Sequence, residues 1–465
     1  MVGKRGWRTR RAVVSTWLFV SAVFCTLLAH AVGSPLRASS TAPSSDQDSL
    51  QRYAGVYGAE SGQVLFVRLA NRLSLDPPST LLSSRLFLVR EDGALCTLVH
   101  AGENTFIISA APSSTSDRRI IFREGPGGRI VALDRRGGLP DTVLPRLDLY
   151  REDDVAFEGP AGVLGGRLLL PSTRGPAPAV VLLGGAASAD RNQDYFVVAD
   201  VLARNGFAAL VYDKRGTGSS SGDWRTAAPS DLADDALAAL RFLQSRSDID
   251  RDRIGFYGLS EGGLVAAIAA SRDRRVAFLI TVSASGVPRS AWEPKWVESE
   301  LRAAAFSQRE ITEALEFVGL EDRFVVRRAD WRQLEHASRA ARKKRWFPYT
   351  WMGIFNAESQ DHWAWTWRRL HDRVDPARAF SRVRSPVLAI WGGLDTYAPE
   401  LNRAAVDQAL KRGRNRLYQL KVFARADHLI REESNEDCGR RYATGYFDTL
   451  VQWTRRAAAR RLTGE

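Results

Sequence analysis

The sequence predicts an α/β chain. A doubly wound, mostly parallel sheet occupies residues 155–465 and carries a helical insertion at about 287–378, and a small all-β domain over residues 52–154 precedes it. Three observations lead there. Along the second half, short apolar runs alternate with helical segments, as in a parallel sheet whose crossovers are helices. About ninety residues rich in helix formers interrupt that alternation once. Between Tyr53 and Leu133, short runs separated by turn residues lack any helical period.

At the amino terminus Lys4, Arg5, Arg8, Arg10 and Arg11 precede an apolar run from Ala12 to Gly33, with small residues around Ala29-His30-Ala31 and Val32-Gly33-Ser34. Residues 1–33 therefore read as a signal peptide of an exported protein, secreted or held in the periplasm or cell envelope. The run of about 22 residues would span about 33 Å as a helix, so an uncleaved membrane anchor is the alternative. Thr9-Arg10-Arg11 resembles a twin-arginine signal only superficially, and Cys25 lacks the small preceding residue of a lipoprotein site. Residues 34–51, rich in Ser, Ala, Pro and Thr, read as a flexible linker.

The all-β domain is expected from the runs Tyr53–Tyr57, Gln63–Leu69, Arg85–Arg90, Ala94–Leu98, Thr105–Ser109, Arg119–Phe122 and Gly128–Leu133, which suit an antiparallel sandwich or barrel. No catalytic constellation falls within it. The formal charge is +13, and the leader supplies five positive charges and no acids, leaving 13 − 5 = +8. With no nucleic-acid-binding motif, this modest excess reads as solubility or weak attraction to anionic surfaces rather than nucleic-acid binding, so no nucleic-acid partner is expected. Only Cys96 and Cys438 follow the leader, one in each domain, which leaves one interdomain bridge open and no disulfide framework.

In the main domain, strands are expected at Ala179–Leu183, Ala208–Tyr212, Arg253–Tyr257, Val276–Val282, Pro386–Trp391 and Leu417–Phe423. Leu232, Ala236, Ala239, Leu240 and Leu243 mark a helix packed on the sheet. Three strand ends carry chemistry. Gly258-Leu259-Ser260-Glu261-Gly262 joins a strand directly to the helical Leu264–Ala270, the context of a nucleophile elbow, in which a sharp turn exposes the serine hydroxyl. Gly392-Gly393-Leu394-Asp395 places a carboxylate just past the next strand but one, and Ala424-Arg425-Ala426-Asp427-His428 places an imidazole beyond the last. Of six histidines, only His428 follows Asp395. Singly these residues suit a turn, a helix cap and a solvated loop. Together, in the order Ser, Asp, His and each at a strand's carboxyl end, they make Ser260, Asp395 and His428 the candidate catalytic triad.

Acyl transfer also needs amides aimed at the developing oxyanion. The Glu261 amide is one candidate, and the slim loop Gly184-Gly185-Ala186-Ala187-Ser188 after the first strand supplies Ala186, with Gly185 as its substitute. That loop lacks the G-x-G-x-x-G and G-x-x-x-x-G-K-[ST] patterns of nucleotide sites. No H-x-x-x-H pair or cysteine cluster points to a metal, and the reading calls for no cofactor.

From about Val155 to the carboxyl terminus the chain resembles the α/β-hydrolase superfamily, and within it bacterial dienelactone-hydrolase-like and acyl-esterase-like enzymes. Besides the triad blocks, the resemblance rests on Asp190-Arg191-Asn192, on Tyr212-Asp213-Lys214-Arg215-Gly216-Thr217-Gly218-Ser219 and on Asp231-Leu232-Ala233-Asp234-Asp235-Ala236. Where such enzymes often read His-Gly-Ser-Gly-Pro, this chain has Gly184 to Ser188, a departure that removes a histidine outside the triad and leaves the backbone donors. The resemblance implies attack by Ser260, proton transfer through His428 and orientation of the imidazole by Asp395.

The insertion holds eight of the thirteen tryptophans: Trp292, Trp296, Trp331, Trp346, Trp351, Trp363, Trp365 and Trp367. Most are expected in its own core. Some should line a pocket for an apolar or aromatic acyl group, since caps at this point overhang the elbow in related enzymes. Arg339-Ala340-Ala341-Arg342-Lys343-Lys344-Arg345 reads as a solvated helix face. The favoured function is hydrolysis of a small-molecule carboxylic ester. The alternatives are a serine peptidase or aminopeptidase on the same fold, with Glu298 or Glu300 anchoring a peptide amino terminus, and a non-catalytic binding protein on the hydrolase fold. Thioesterase and acyltransferase variants use the same acyl-enzyme.

Overall fold

The computed structural model of the chain describes residues 49–58, 64–70, 85–109, 118–137, 142–186, 188–193, 195–434 and 438–463. The leader read over residues 1–33 and nearly all of the 34–51 linker lie outside the described residues, as do Ala187 and Gln63. Among the described residues no helix is long and apolar enough to cross a membrane.

Eight strands, β1 (Gly55–Gly58), β2 (Val64–Ala70), β3 (Arg85–Arg90), β4 (Ala94–Gly102), β5 (Thr105–Ser109), β6 (Arg119–Glu124), β7 (Ile130–Arg136) and β8 (Thr142–Leu147), form an antiparallel ladder in the order β4-β3-β2-β1-β8-β7-β6-β5. Pairing of β5 with β4 from Thr97 to Gly102 closes the ladder into a barrel. Val67, Leu88, Phe106, Phe122 and Leu133 fill its interior. Two differences from the sequence expectation have local causes. The run expected from Gly128 begins as a strand only at Ile130, because Pro126–Gly128 makes a tight turn with Gly127 and Gly128 at φ 72° and 78°. β8 carries Pro145, which lacks the amide proton that a strand reading looks for.

The second sheet joins β9 (Tyr150–Gly159), β10 (Gly162–Pro171), β11 (Ala177–Leu183), β12 (Ala208–Tyr212), β13 (Ile249–Leu259), β14 (Leu279–Val282), β15 (Val387–Gly392) and β16 (Tyr418–Phe423) in the order β16-β15-β14-β13-β11-β12-β10-β9. The six strands expected from the sequence are present and mutually parallel. β9 and β10 add an antiparallel hairpin at the edge, and β9 runs across the expected domain limit at 154/155. Its sequence Tyr-Arg-Glu-Asp-Asp-Val-Ala-Phe-Glu-Gly offers no apolar run, and only Phe157 in it is buried. Both faces of the sheet are covered. Ala179, Val181 and Leu183 pack toward α2 (Pro229–Gln244) and α3 (Glu261–Arg272), whereas Val180 and Leu182 pack toward α1 (Phe196–Arg204) and α11 (Tyr446–Thr463). That alternation follows from the period of two along a strand.

Between β14 and β15 the chain leaves the sheet for α4 (Arg289–Ala303), α5 (Gln308–Val325), α6 (Trp331–Ala341), α7 (Trp351–Phe355), α8 (Trp363–Asp372) and α9 (Pro376–Arg382). α5 starts with a capping box of Ser307 and Glu310. The basic stretch after Arg339 lies on the surface, with Arg339 paired to Glu335 and Lys344 to Glu313. α10 (Pro399–Arg412) then leads toward β16.

The barrel and the second sheet share a core: Phe66, Phe87 and Leu95 of the barrel pack with Phe196, Phe207 and Tyr442. Against Phe196 the buried Arg68 of β2 pairs with Asp200 of α1 at 2.9 Å and with Glu152 of β9 at 3.0 Å. The carboxyl-terminal region also enters the barrel sheet. β17 (Arg431–Glu433) and β18 (Arg440–Tyr442) form a hairpin, β18 pairs with β4, and a disulfide joins Cys96 of β4 to Cys438. The bridge left open by the cysteine count is thus formed. Replacing Cys438 with serine should lower unfolding stability by about 2–5 kcal/mol, read as a fall in the denaturant midpoint that reductant reproduces in the wild type and not in the variant.

Candidate active site

β13 ends at Leu259 and α3 begins at Glu261, so Ser260 alone makes the turn, at φ 55° and ψ −117°. A non-glycine residue there costs on the order of 1–3 kcal/mol and persists only if its surroundings hold it. They do. The Ser260 amide donates to Val282 O at 2.7 Å, and Gly263 N donates to Ser260 O at 3.0 Å. Glycine is needed on both sides, because a Cβ at Gly258 would lie 2.2 Å from Gly262 O and one at Gly262 would lie 2.2 Å from Leu183 O.

Asp395 lies past the end of β15, with its side chain 2% exposed. Its Oδ1 accepts from Tyr397 N at 2.9 Å and its Oδ2 from His428 Nδ1 at 2.9 Å. The Tyr397 ring lies against the imidazole, with centroids 4.7 Å apart. Behind His428, Ser283 Oγ donates to its carbonyl at 2.8 Å. Asp427 accepts from the backbone amides of Leu429 and Arg431 and from Arg440 of the β17–β18 hairpin, so the barrel helps to brace the histidine loop. Burial lowers the His428 pKa, but the charge and hydrogen bond of Asp395, with Asp427 beyond, outweigh it and leave the imidazole above its ordinary value.

Ser260, His428, Ala186 and Glu261 line one cavity of about 130 Å³. Its other walls come from the insertion: Trp292, Trp296, Trp351, Phe355 and Trp367 face it, as does Tyr397. Of the eight tryptophans singled out in the sequence, these four line the cavity, while Trp331, Trp346, Trp363 and Trp365 pack within the insertion. Glu298 and Glu300 do not line it. Glu298 pairs with Arg302 at the surface and Glu300 is buried inside α4.

Several groups at the site escaped the sequence reading. The Glu261 side chain, buried beside the elbow, meets Lys214 Nζ at 2.6 Å and His371 Nε2 at 2.6 Å. His371 stacks on Trp367 with centroids 3.7 Å apart. Burial raises the Glu261 pKa, but Lys214 and His371 outweigh it and hold the carboxyl at about 2. Lys214 had a signal, since it is a polar residue two positions beyond the end of β12 in a quoted motif. His371 had none, standing 110 residues from its partner. Arg289 reaches the cavity wall with its guanidinium held by Glu293 at 2.8 Å. Among the described residues, no group of three or more His, Cys, Asp or Glu side chains is placed to hold a metal ion.

Residues 162–424 match the family model described as "X-Pro dipeptidyl-peptidase (S15 family)". The chain belongs to this S15 peptidase family. The match places it among α/β-fold hydrolases by family. It is 34% identical over 145 residues to the uncharacterized protein PA2218 of Pseudomonas aeruginosa, which covers 30% of this chain and 39% of the relative. It is 27% identical over 174 residues to the esterase EstD of Thermotoga maritima, covering 33% and 40%. The chain thus spans about two fifths of the length of these curated relatives. The crystal structure of PA2218 aligns over 67% of this chain and 95% of that one, at 20% identity and a TM-score of 0.45.

The elbow's clearances make a direct test. Gly262→Ala, which forces a methyl group against Leu183 O, should cost about 1–3 kcal/mol, measured as a fall in the urea midpoint at unchanged slope.

Proposed function

We propose that the protein is a serine hydrolase of carboxylic esters with an apolar acyl pocket. The observation that carries the reading is the His428–Asp395 hydrogen bond of 2.9 Å in a cavity that also holds Ser260 at a strained elbow. In this mechanism Ser260 Oγ attacks the acyl carbon as His428 Nε2 takes its proton. Asp395 holds the Nδ1 proton and stabilises the imidazolium. The amides of Glu261 and Ala186 receive the developing oxyanion. The imidazolium then protonates the departing alkoxide, and water, deprotonated by the same imidazole, releases the acid and restores Ser260.

The helices from Arg289 to Arg382 act as a cap whose aromatic side chains bind the acyl group. The cavity, about 130 Å³, is close to the roughly 150 Å³ that accommodates benzene in an apolar protein cavity. Each buried methylene is worth about 0.8 kcal/mol, so affinity should rise steeply until that space is full.

The family match favours a second reading, a serine peptidase using the same groups. An enzyme that selects a peptide amino terminus needs a carboxylate free to meet the ammonium. The one carboxylate among the described cavity-lining residues, Glu261, is occupied by Lys214 and His371. That pairing supports ester over aminopeptidase chemistry. Export of the chain, with the 1–33 segment as a leader, remains part of the proposal.

Turnover of a p-nitrophenyl ester series should rise about fourfold in kcat/KM per added methylene and then fall once the cavity is filled. Ser260→Ala should lose several orders of magnitude in kcat. Faster cleavage of amino-acyl p-nitroanilides would move the assignment to peptidase. Because His428 must be neutral to accept a proton and its pKa is raised, kcat/KM should fall on acidification through a pKa above 6.5. Ser260-dependent kcat/KM that shows no acid limb would contradict the proposed role of His428.

A further inference from the structure

Lys214 touches neither Ser260 nor His428 in the contacts described, yet it joins the two chain segments that supply the proposed oxyanion amides. Its Nζ donates to Gly185 O at 2.5 Å and to Glu261 Oε2 at 2.6 Å. The Lys214 residue is 8% exposed. Gly185 O belongs to the same peptide unit as the Ala186 N–H. Among the described residues no peptide bond is cis. In a trans unit the carbonyl and the amide proton point in opposite directions. A lysine that holds the Gly185 carbonyl therefore fixes the plane of that unit and turns the Ala186 N–H away from itself, and Ala186 lines the catalytic cavity.

The second contact acts on the other donor. The Glu261 carboxylate belongs to the residue whose own N–H follows Ser260, and it is clamped from two sides, by Lys214 and by His371 of α8. His371 is in turn tied to Trp367, through its Nδ1 to Trp367 O at 2.8 Å and by ring stacking. One buried cation thus bridges β11's loop and the first turn of α3, and the insertion completes the clamp.

We propose that Lys214 is a positioning residue for the oxyanion site, holding the Gly185–Ala186 peptide and the Glu261 side chain in one register so that two backbone amides converge on the acyl oxygen. This rests on the triad reading above. No proton or bond of Lys214 changes in the reaction. Its effect belongs to the transition state, where the charge on the oxygen develops, and so to kcat rather than to KM.

The test compares wild type, Lys214→Met, Lys214→Ala, Glu261→Gln and Ser260→Ala on one p-nitrophenyl ester, with each variant's thermal midpoint and its rate of labelling by a fluorophosphonate. Lys214→Met should lower kcat about 10²–10³-fold, the usual worth of an oxyanion donor, with KM within about threefold. Fluorophosphonate labelling, whose adduct places an oxygen where the oxyanion sits, should slow in parallel. Glu261→Gln, which keeps shape and loses charge, should lower kcat at least about tenfold. Methylamine added to Lys214→Ala should restore part of kcat at unchanged KM, which a merely structural defect would not show. Ser260-dependent turnover in which kcat of the folded Lys214→Met stays within threefold of wild type overturns the inference alone. If Lys214→Met does not fold, Glu261→Gln with kcat within threefold does the same. Wild-type turnover that survives Ser260→Ala overturns the triad reading, and this inference with it.

Discussion

Parallel pairing in matched register brings the carboxyl ends of the central strands to one edge of the sheet, where Leu259, Val282 and Ile390 lie side by side across β13, β14 and β15. The ladder extends one residue further, as Ser260 N–H donates to Val282 O and Ser283 N–H to Ile390 O. Those bonds hold Ser260 in a conformation that its side chain disfavours, and they place Ser283 to brace the histidine loop. A slip of one residue between strands would turn every side chain to the opposite face and scatter the site.

The groups hung from this edge are steadied from behind by different parts of the molecule. Asp395 and Tyr397 hold the imidazole from the β15 side. The β17–β18 hairpin holds Asp427, and that hairpin is itself paired and disulfide-bonded to the barrel. The barrel thereby acquires a role beyond its own stability, as a scaffold for the loop that carries His428. The insertion contributes the aromatic walls of the cavity and, through His371, a contact to the residue beside the serine.

Charge complementarity explains the polar residues that the resemblance quoted without assigning. Arg191 pairs with Asp213 at 2.7 Å and Arg215 with Asp235 at 2.7 Å, both in largely buried settings. Each pair joins a loop at the strand edge to a neighbouring element, and an unpaired partner left buried there would be costly. Lys214 stands between these arginines' partners in sequence but turns to Glu261 instead, which is why the motif alone did not reveal its contact.

What the sequence by itself determined was local. Apolar runs of strand length located the six parallel strands, the glycines around Ser260 marked a turn that only small neighbours permit, and the order Ser260, Asp395, His428 followed from chain position. Its reach failed where the signal was not periodic. β9 is an edge strand rich in charge, β8 contains a proline, and the β17–β18 hairpin is too short to register as strands. Only the tertiary structure decided that four of the insertion's tryptophans face the cavity, that Glu298 and Glu300 stay away from it, that Cys96 meets Cys438 and that His371 and Lys214 converge on Glu261. The physical reason is that side-chain pairing across 47 or 110 residues depends on how the loops fold over the strand edge, and no local propensity or spacing encodes that distance.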